Sequence, residues 1–207
     1  MTFRSNQIAI ATGFFLLVLA LQPARSSAGV PTDQIKATVD KALVVLKDPR
    51  LKPAVKTKER RDQLKQILFA RFDFTEMAKR ALGSNWRRRT PKEQEEFVRL
   101  FTDLLERSYT DTIEAYSDEK IVYVGERLDG SFAEISSKVL TGKGEEFSIN
   151  YKAQLNGSEW RVYDVVVENI SMVNNFRSQF HRVISNASYE ELVRRLRDRA
   201  DFGTQKN

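Results

Sequence analysis

The sequence of 207 residues contains no cysteine and a single histidine, His181. The absence of cysteine excludes disulfide frameworks, thiolate nucleophiles, zinc ribbons and iron–sulfur ligation. His181 has no carboxylate or second histidine at ligand spacing, so we interpret it as a surface residue without a catalytic task. Glycine and proline number only 9 and 5, which excludes collagen-like and linker-like chains.

The composition that remains is that of a globular domain. Hydrophobic residues make up 41% of the chain, including 13 Phe, 6 Tyr and 2 Trp, and this is enough apolar surface for one core. The formal net charge is +6 and falls by two if Arg4 and Arg25 are removed with a leader. This bias is too mild to indicate a nucleic-acid partner.

The first residues have the three-part layout of a secretory signal peptide. Arg4 precedes an apolar run from Ile8 to Leu21, and small residues close the segment at Ala28. The run holds 14 residues, whereas a spanning helix needs about 20, so cleavage is favoured over an uncleaved membrane anchor. We therefore predict a signal peptide at 1–28 and an exported, periplasmic domain at 29–207.

Helical periodicity dominates residues 29–118. Apolar positions predict a helix from Thr32 to Lys47, a second marked by residues from Leu64 to Phe72, and a third that stops at Gly83. Thr90 and Glu93 form a predicted capping box, which opens a long helix whose apolar stripe continues to Tyr116.

The period changes from 3.6 to 2 between residues 119 and 168. Asp129-Gly130, Gly142-Lys143-Gly144 and Asn156-Gly157 are turn signals that divide four strand-like runs, so a four-stranded antiparallel meander is predicted. Residues 169–202 return to a helical period, with a second capping box from Ser188 to Glu191. The order of elements predicts an α+β fold in which helices cover one face of a curved sheet.

No constellation of catalytic residues is apparent, and we predict that the chain is not an enzyme. Gly142 and Gly144 are spaced for a turn between strands, and Ser171 lacks the glycine-flanked elbow of a hydrolase nucleophile. An enzyme on a cone-shaped α+β fold remains an alternative. It would need titrating groups inside a cavity, and Asp164 is the only plausible contributor.

Two features are left without a structural task. One is an excess of apolar residues directed at one sheet face, which fits either a packed core or a lined cavity. The other is a pair of basic clusters, Arg87-Arg88-Arg89 and the arginines 194, 195, 197 and 199. Either cluster suits an anionic headgroup or an acidic partner, but ordinary solvated faces are the favoured interpretation, because Glu190, Glu191 and Asp198 interleave with the second cluster.

The order of motifs along the chain resembles the MlaC family of periplasmic phospholipid-binding proteins, also called toluene-tolerance auxiliary proteins. The resemblance runs from about Asp33 to Asp201. Its motifs are Leu82-Gly83, Trp86, Thr90-Pro91 with Gln94, Phe97, Phe101, Leu104 and Tyr109, then Trp160, Tyr163-Asp164-Val165, Asn169-Ile170-Ser171-Met172-Val173 and Phe176-Arg177-Ser178-Gln179-Phe180. Asn169 departs from the glycine of many relatives, which implies a slightly altered strand-to-helix turn.

The resemblance implies a carrier that maintains outer-membrane lipid asymmetry. Its cargo is phospholipid, its partners are an outer-membrane lipoprotein complex and an inner-membrane ABC transporter complex, and it uses no cofactor or metal. The acyl tails would lie in an apolar cavity between the four-stranded meander and its N- and C-terminal helices. Hopanoid-like lipid is an alternative cargo, and a solid interaction module an alternative to any carrier. We expect a monomer.

The candidate lipid-binding residues are apolar side chains in the matched helix, the meander and the strand-to-helix segment. They are Phe97, Phe101, Leu104, Tyr109, Phe147, Ile149, Tyr151, Val162, Tyr163, Val165, Ile170, Met172 and Phe176. We interpret Asp164 as a structural acceptor that holds a neighbouring loop, rather than as a headgroup contact.

Overall fold

The computed structural model describes residues 30–116, 119–198 and 202, so the predicted signal peptide lies outside the described residues. The helical half contains α1 (Pro31–Lys47), α2 (Thr57–Phe69), α3 (Phe74–Leu82) and α4 (Pro91–Glu114), with 3-10 turns at Pro49–Leu51, Ala54–Lys56 and Gly83–Arg88. The sheet contains β1 (Lys120–Asp129), β2 (Phe132–Leu140), β3 (Glu146–Asn156), β4 (Glu159–Val167) and β5 (Ile170–Ser171). Helices α5 (Met172–Asn186) and α6 (Tyr189–Arg197) follow. The α+β prediction is confirmed.

Helix α2 ends earlier than the periodicity predicts. Phe72 lies beyond the helix and bridges to Val162 on β4. The backbone N–H of Asp73 donates to the carbonyl of Val162 at 2.8 Å, and that of Val162 donates to the carbonyl of Arg71 at 2.9 Å. Strand-like pairing with the sheet therefore outweighs helical periodicity at Phe72.

The first capping box is confirmed and the second is formed only in part. Thr90 accepts a hydrogen bond from the Glu93 N–H, and the Glu93 carboxylate accepts one from the Thr90 N–H at 2.7 Å. At α6, Ser188 accepts from the Glu191 N–H at 3.2 Å, but the Glu191 carboxylate accepts from Arg194. An arginine one turn along the helix thus replaces the expected backbone partner. Tyr116, predicted on the stripe of α4, lies beyond its last residue.

The sheet is an antiparallel meander of five strands in the order β1-β2-β3-β4-β5. The three turn signals are confirmed, and Gly130, Gly144 and Gly157 have positive φ there. The four-strand prediction is wrong by one, because Ile170 and Ser171 fold back to pair with Val167 and Val166.

The extra hairpin has a two-residue turn at Glu168 and Asn169, with φ of 47° and 64°. Asparagine tolerates the left-handed region, so it can occupy a position that otherwise favours glycine. Among residues 30–116 and 119–198, no helix is both long enough and apolar enough to cross a bilayer.

Each outer part of the sheet contains a bulge. The register shifts between Tyr123 and Gly125 on β1, which leaves Val124 as the extra residue. It shifts again opposite Lys152 and Ala153, which leaves Tyr163 as the extra residue on β4. A bulge bends its strand and increases the local twist, so two of them curve the sheet around whatever packs on its face.

Candidate functional site: an apolar junction

The buried apolar residues form three clusters, and the partly buried Phe72 and Met172 connect the two larger ones. The helical core joins α3, α4, α5 and α6, and includes Met77, Phe97, Phe101, Phe176 and Phe180. The sheet core joins Ile35 of α1 to Ile135, Tyr151, Val162 and other residues of β2, β3 and β4. The α1–α2 core contains Ala42, Val45, Leu51 and Leu64.

The helical core is filled by its own aromatic rings. The Phe101 ring lies 5.4 Å from that of Phe176 and 5.6 Å from that of Phe180, both edge to face. The Phe97 ring lies 5.7 Å from that of Phe180 in the same arrangement. All four rings are at most 1% exposed. Such pairs stabilise a core beyond the area that they bury.

Partly buried side chains lie where the three cores approach one another. Helix α4 runs from the helical core to Ile113, which packs against the α1–α2 core, and Tyr109 lies between. Helix α1 runs from the sheet core to the α1–α2 core, with Val39 between. Met172 and Phe72 each contact both the helical core and the sheet core.

We define the junction as Val39, Tyr109 and Met172 together with Tyr123 and Ile149, which pack against the sheet core. All five are apolar or aromatic and only partly buried. Burial raises the pKa of Tyr109, and the nearby Asp164 carboxylate raises it further. Tyr109 and Asp164 therefore lie close enough to interact, which brings α4 next to the start of α5.

A single row of side chains crosses all five strands at the junction. Tyr123 is opposite Ser137, Ser137 is opposite Ile149, Ile149 is opposite Val167, and Val167 is opposite Ile170. Directly paired residues share one face of a sheet. We call these five residues the crosswise row. Neighbouring strands are about 4.8 Å apart, so the row extends roughly 19 Å.

The row changes in character along its length. Ser137 is 1% exposed and its hydroxyl donates to the Ile149 carbonyl at 2.6 Å. Burial raises the pKa of the adjacent Tyr151 to about 12, and hydrogen bonding with Ser137 opposes part of that rise. At the other end, Val167 and Ile170 are 40% and 45% exposed. The row therefore leads from buried hydroxyl groups to an exposed apolar rim.

Asp164 connects the sheet to α5. Its carboxylate accepts from the Ser171 hydroxyl at 2.6 Å and from the Val173 N–H at 3.0 Å, and the side chain is buried. One carboxylate oxygen thus accepts from the end of β5 and the other from the start of α5. The interpretation of Asp164 as a structural acceptor is confirmed.

Two surface depressions lie away from the junction. One is lined by charged residues of α2 and the turn before it, such as Lys58 and Glu59. The other is lined by Gly83, Ser84, Arg87 and Arg88. Neither lies between the sheet and the helices, so the enclosed cavity stays a prediction, and the junction and the crosswise row are its candidate location.

The MlaC protein family model matches residues 36–198. This range includes every residue of the junction and of the crosswise row. The chain belongs to the MlaC family.

Similar proteins of this family come from several bacteria. The intermembrane phospholipid transport system binding protein MlaC of Haemophilus influenzae is 24% identical over 126 residues, which cover 58% of this chain and 59% of that protein. The chain thus spans less than two thirds of that relative. The toluene tolerance protein ttg2D of Pseudomonas putida is 26% identical over 170 residues, which cover 81% of this chain and 79% of that protein.

A solved structure has the same fold. It is the phospholipid-binding protein from Ralstonia solanacearum in complex with a phospholipid, with a TM-score of 0.71 and 26% sequence identity. The superposition covers 82% of this chain and 96% of the Ralstonia chain. The resemblance to the MlaC family inferred from sequence motifs is confirmed.

The predicted lipid-binding residues of this MlaC-family chain fall into four groups. Those in the helical core are Phe97, Phe101, Leu104 and Phe176, and those in the sheet core are Tyr151, Val162 and Val165. Partly buried are Tyr109, Phe147, Ile149, Tyr163 and Met172, and Ile170 is exposed. Tyr109 packs against the helical core, Ile149 packs against the sheet core, and Met172 packs against both. Contact of any of these residues with lipid stays a prediction.

Tyr163 has polar surroundings that the sequence pattern did not indicate. The Arg80 guanidinium lies 4.0 Å from the centre of its ring, and the Phe132 ring packs edge to face at 6.1 Å. Tyr163 is the bulged residue of β4, so strict alternation assigns its direction incorrectly. Sequence reasoning missed Tyr123, which lies just before the bulge at Val124 on β1. It also missed Val39, which lies within the predicted helix from Thr32 to Lys47.

The two basic clusters differ in how far they are neutralised. In α6, Arg194 pairs with Glu191 and Asp198 at 2.8 Å, and Arg197 pairs with Glu96 at 2.5 Å. Arg87 and Arg88 are exposed and form no ion pair within the described part of the chain. Arg177 lies beside the same depression, because a Cβ on Gly83 would meet its Nε at 3.1 Å. We call Arg87, Arg88 and Arg177 the basic patch.

Proposed function

We propose that this chain is a non-enzymatic periplasmic carrier that holds the acyl tails of a phospholipid at the junction and along the crosswise row. The observation that carries the proposal is the division of the interior into three cores, with partly buried apolar side chains where they meet. A solid domain of this size would bury those side chains against one another. The names of the Haemophilus and Ralstonia proteins, which bind or transport phospholipid, support the same cargo.

The dimensions of the row suit an acyl chain. A row of roughly 19 Å from Tyr123 to Ile170 is comparable in length to an extended long-chain fatty acyl group. Burial of hydrocarbon contributes about 0.8 kcal/mol per methylene, so ten methylenes contribute about 8 kcal/mol to retention. Spontaneous release into water is then slow, and hand-off requires contact with a partner that offers another apolar path.

The basic patch is the surface that we assign to that contact. Its guanidinium groups lack an ion pair within the described residues, whereas the α6 arginines have acidic partners. An acidic surface on the outer-membrane lipoprotein complex or on the inner-membrane ABC transporter complex would complement the patch. We assign the carrier to the periplasm because the sequence predicts a cleavable signal peptide.

Uptake of lipid from vesicles tests the proposal. Delipidated protein is mixed with vesicles of labelled phosphatidylethanolamine and phosphatidylglycerol, and the soluble fraction is then separated and counted. We expect saturable transfer of label to the protein. Absence of transfer from these vesicles, and from vesicles that contain a hopanoid, would contradict a carrier of either lipid.

A further inference from the structure

The Tyr123 hydroxyl is a polar group that the fold leaves unsatisfied at the junction. Its oxygen is buried and has no hydrogen-bond partner within residues 30–116 and 119–198. The ring packs against the sheet core, and burial raises the pKa of the hydroxyl well above its ordinary value. A buried hydroxyl without a partner is costly, so its persistence indicates a partner of another kind.

The polar groups near Tyr123 do not accept a hydrogen bond from its hydroxyl, because each has another partner. Ser137, directly opposite on β2, already donates to the Ile149 carbonyl. Tyr151 interacts with Ser137. The Asp40 carboxylate on α1 is close enough to influence Tyr123, but it is half exposed and pairs with Lys36 at 2.5 Å. Tyr123 therefore retains a proton that it can donate to a bound molecule.

The position of Tyr123 indicates which chemical groups a bound molecule must carry. Tyr123 is the first residue of the crosswise row, and beyond Ser137 the apolar side chains of Ile149, Val167 and Ile170 continue the row. A ligand that follows the row needs a hydrogen-bond acceptor at one end and hydrocarbon along the rest. The carbonyl oxygen of a fatty acyl ester has this arrangement, because the acyl chain begins at the carbonyl carbon.

We propose that Tyr123 donates a hydrogen bond to the ester carbonyl of a bound acyl lipid. This inference rests on the proposed carrier function, since it names the acceptor within the same site. It assigns to Tyr123 a role in recognising ester-linked lipids. An ether-linked lipid of equal chain length has no carbonyl at this position and would leave the hydroxyl unpaired.

The test compares ester-linked with ether-linked phosphatidylethanolamine of the same chain length, using wild type and Tyr123→Phe. The wild-type protein should bind the ester lipid about three- to tenfold more tightly than the ether lipid, as expected for one hydrogen bond. Tyr123→Phe should lose this preference by weakening ester binding alone. The delipidated variant should also unfold at a higher temperature than wild type, because an unsatisfied buried hydroxyl has been removed.

A control variant removes a tyrosine hydroxyl elsewhere. The hydroxyl of Tyr189 donates to the Glu93 carbonyl between α6 and α4, so Tyr189→Phe should retain the ester preference. Equal binding of both lipids by wild type, or an unchanged preference in Tyr123→Phe, would overturn the role of Tyr123 and leave the carrier function standing. Failure of wild type to bind either lipid would instead overturn the carrier function, and this inference with it.

Discussion

Asp164 on β4 accepts a hydrogen bond from the backbone N–H of Val173, the second residue of α5, at 3.0 Å. This contact and the bond from Ser171 fix the start of α5 against the sheet. Met172 lies between these two residues and contacts both large cores. The position of a junction side chain thus depends on a carboxylate that is itself buried.

Replacing Asp164 should reduce stability rather than affinity for lipid. Asp164→Ala leaves two donors without an acceptor, so the free energy of unfolding should fall by about 2–4 kcal/mol. Asp164→Asn should cost less, since an amide still accepts through its oxygen. Urea unfolding measures both values. Asp111→Ala, whose side chain is 86% exposed, is the control and should change stability by less than about 1 kcal/mol. Unchanged stability with lost lipid binding in Asp164→Ala would indicate a headgroup contact instead.

Glu114 should stabilise the packing of α2 on α4 in a pH-dependent way. Burial alone would raise the pKa of its carboxyl, but hydrogen bonds from Arg61 and Arg60 outweigh this and hold the pKa below 4.5. A carboxyl with a lowered pKa stabilises the fold above its ordinary pKa, and that contribution is lost as the pH falls through the lower value. Glu114→Gln should therefore reduce the free energy of unfolding by about 1–3 kcal/mol at neutral pH.

The pH dependence of the same variant provides its control. The difference between wild type and Glu114→Gln should shrink at a pH well below 4.5, where the wild-type carboxyl is protonated. Unfolding by urea at neutral and acidic pH measures it. A difference that stays constant across this range would show that the ion pairs with Arg60 and Arg61 contribute little.

Charge placed on the crosswise row should reduce lipid retention. Ile149→Asp puts a carboxylate at the junction, and Ile170→Glu puts one at the exposed rim, where the fold tolerates it. Tail burial opposes an unpaired charge, so both variants should lose bound phospholipid, with the larger loss in Ile149→Asp. Phosphorus analysis of the purified proteins measures retention, and circular dichroism reports folding.

Val55→Glu is the matched control, because Val55 is 89% exposed and lies next to α2, away from the sheet. It should retain as much lipid as wild type. If a folded Ile170→Glu retains as much lipid as wild type, Ile170 does not belong to the lipid site. If a folded Ile149→Asp does so, the crosswise row is not the lipid site.

Reversal of charge on the basic patch should impair hand-off without affecting retention. The double variant Arg87→Glu/Arg88→Glu should keep its lipid but deliver it more slowly to vesicles that contain a reconstituted MlaC-dependent ABC transporter complex. Lys41→Glu/Lys143→Glu makes the same change in net charge at exposed positions elsewhere and should deliver normally. Equal delivery by both double variants would exclude the patch as the docking surface for that complex.

Local chemistry made much of the fold predictable from sequence. The Thr90–Glu93 capping box, the Gly83 helix end and the turns at Gly130 and Gly157 are confirmed because each depends on residues within one turn of the chain. Asp164 was also interpreted correctly, since a buried carboxylate needs donors and the following segment supplies them.

The junction was harder to predict from the sequence, because it depends on pairing between residues that are far apart in the chain. Phe72 leaves its helix to bridge Val162, and the bulges at Val124 and Tyr163 reverse the faces that alternation assigns. Phe97, Phe101 and Phe176 are assigned to the lipid site by the family resemblance, and the structure packs their rings against one another in the helical core. A stripe in sequence does not distinguish a filled core from its boundary.

Mass spectrometry of lipid extracted from the protein, purified from the periplasm without detergent, tests the central claim most directly. We expect co-purifying phospholipid in wild type and markedly less in Ile149→Asp, whereas Val55→Glu should match wild type. Wild-type protein that carries no lipid, or that carries as much as Ile149→Asp when both are folded, would contradict a lipid site at the junction.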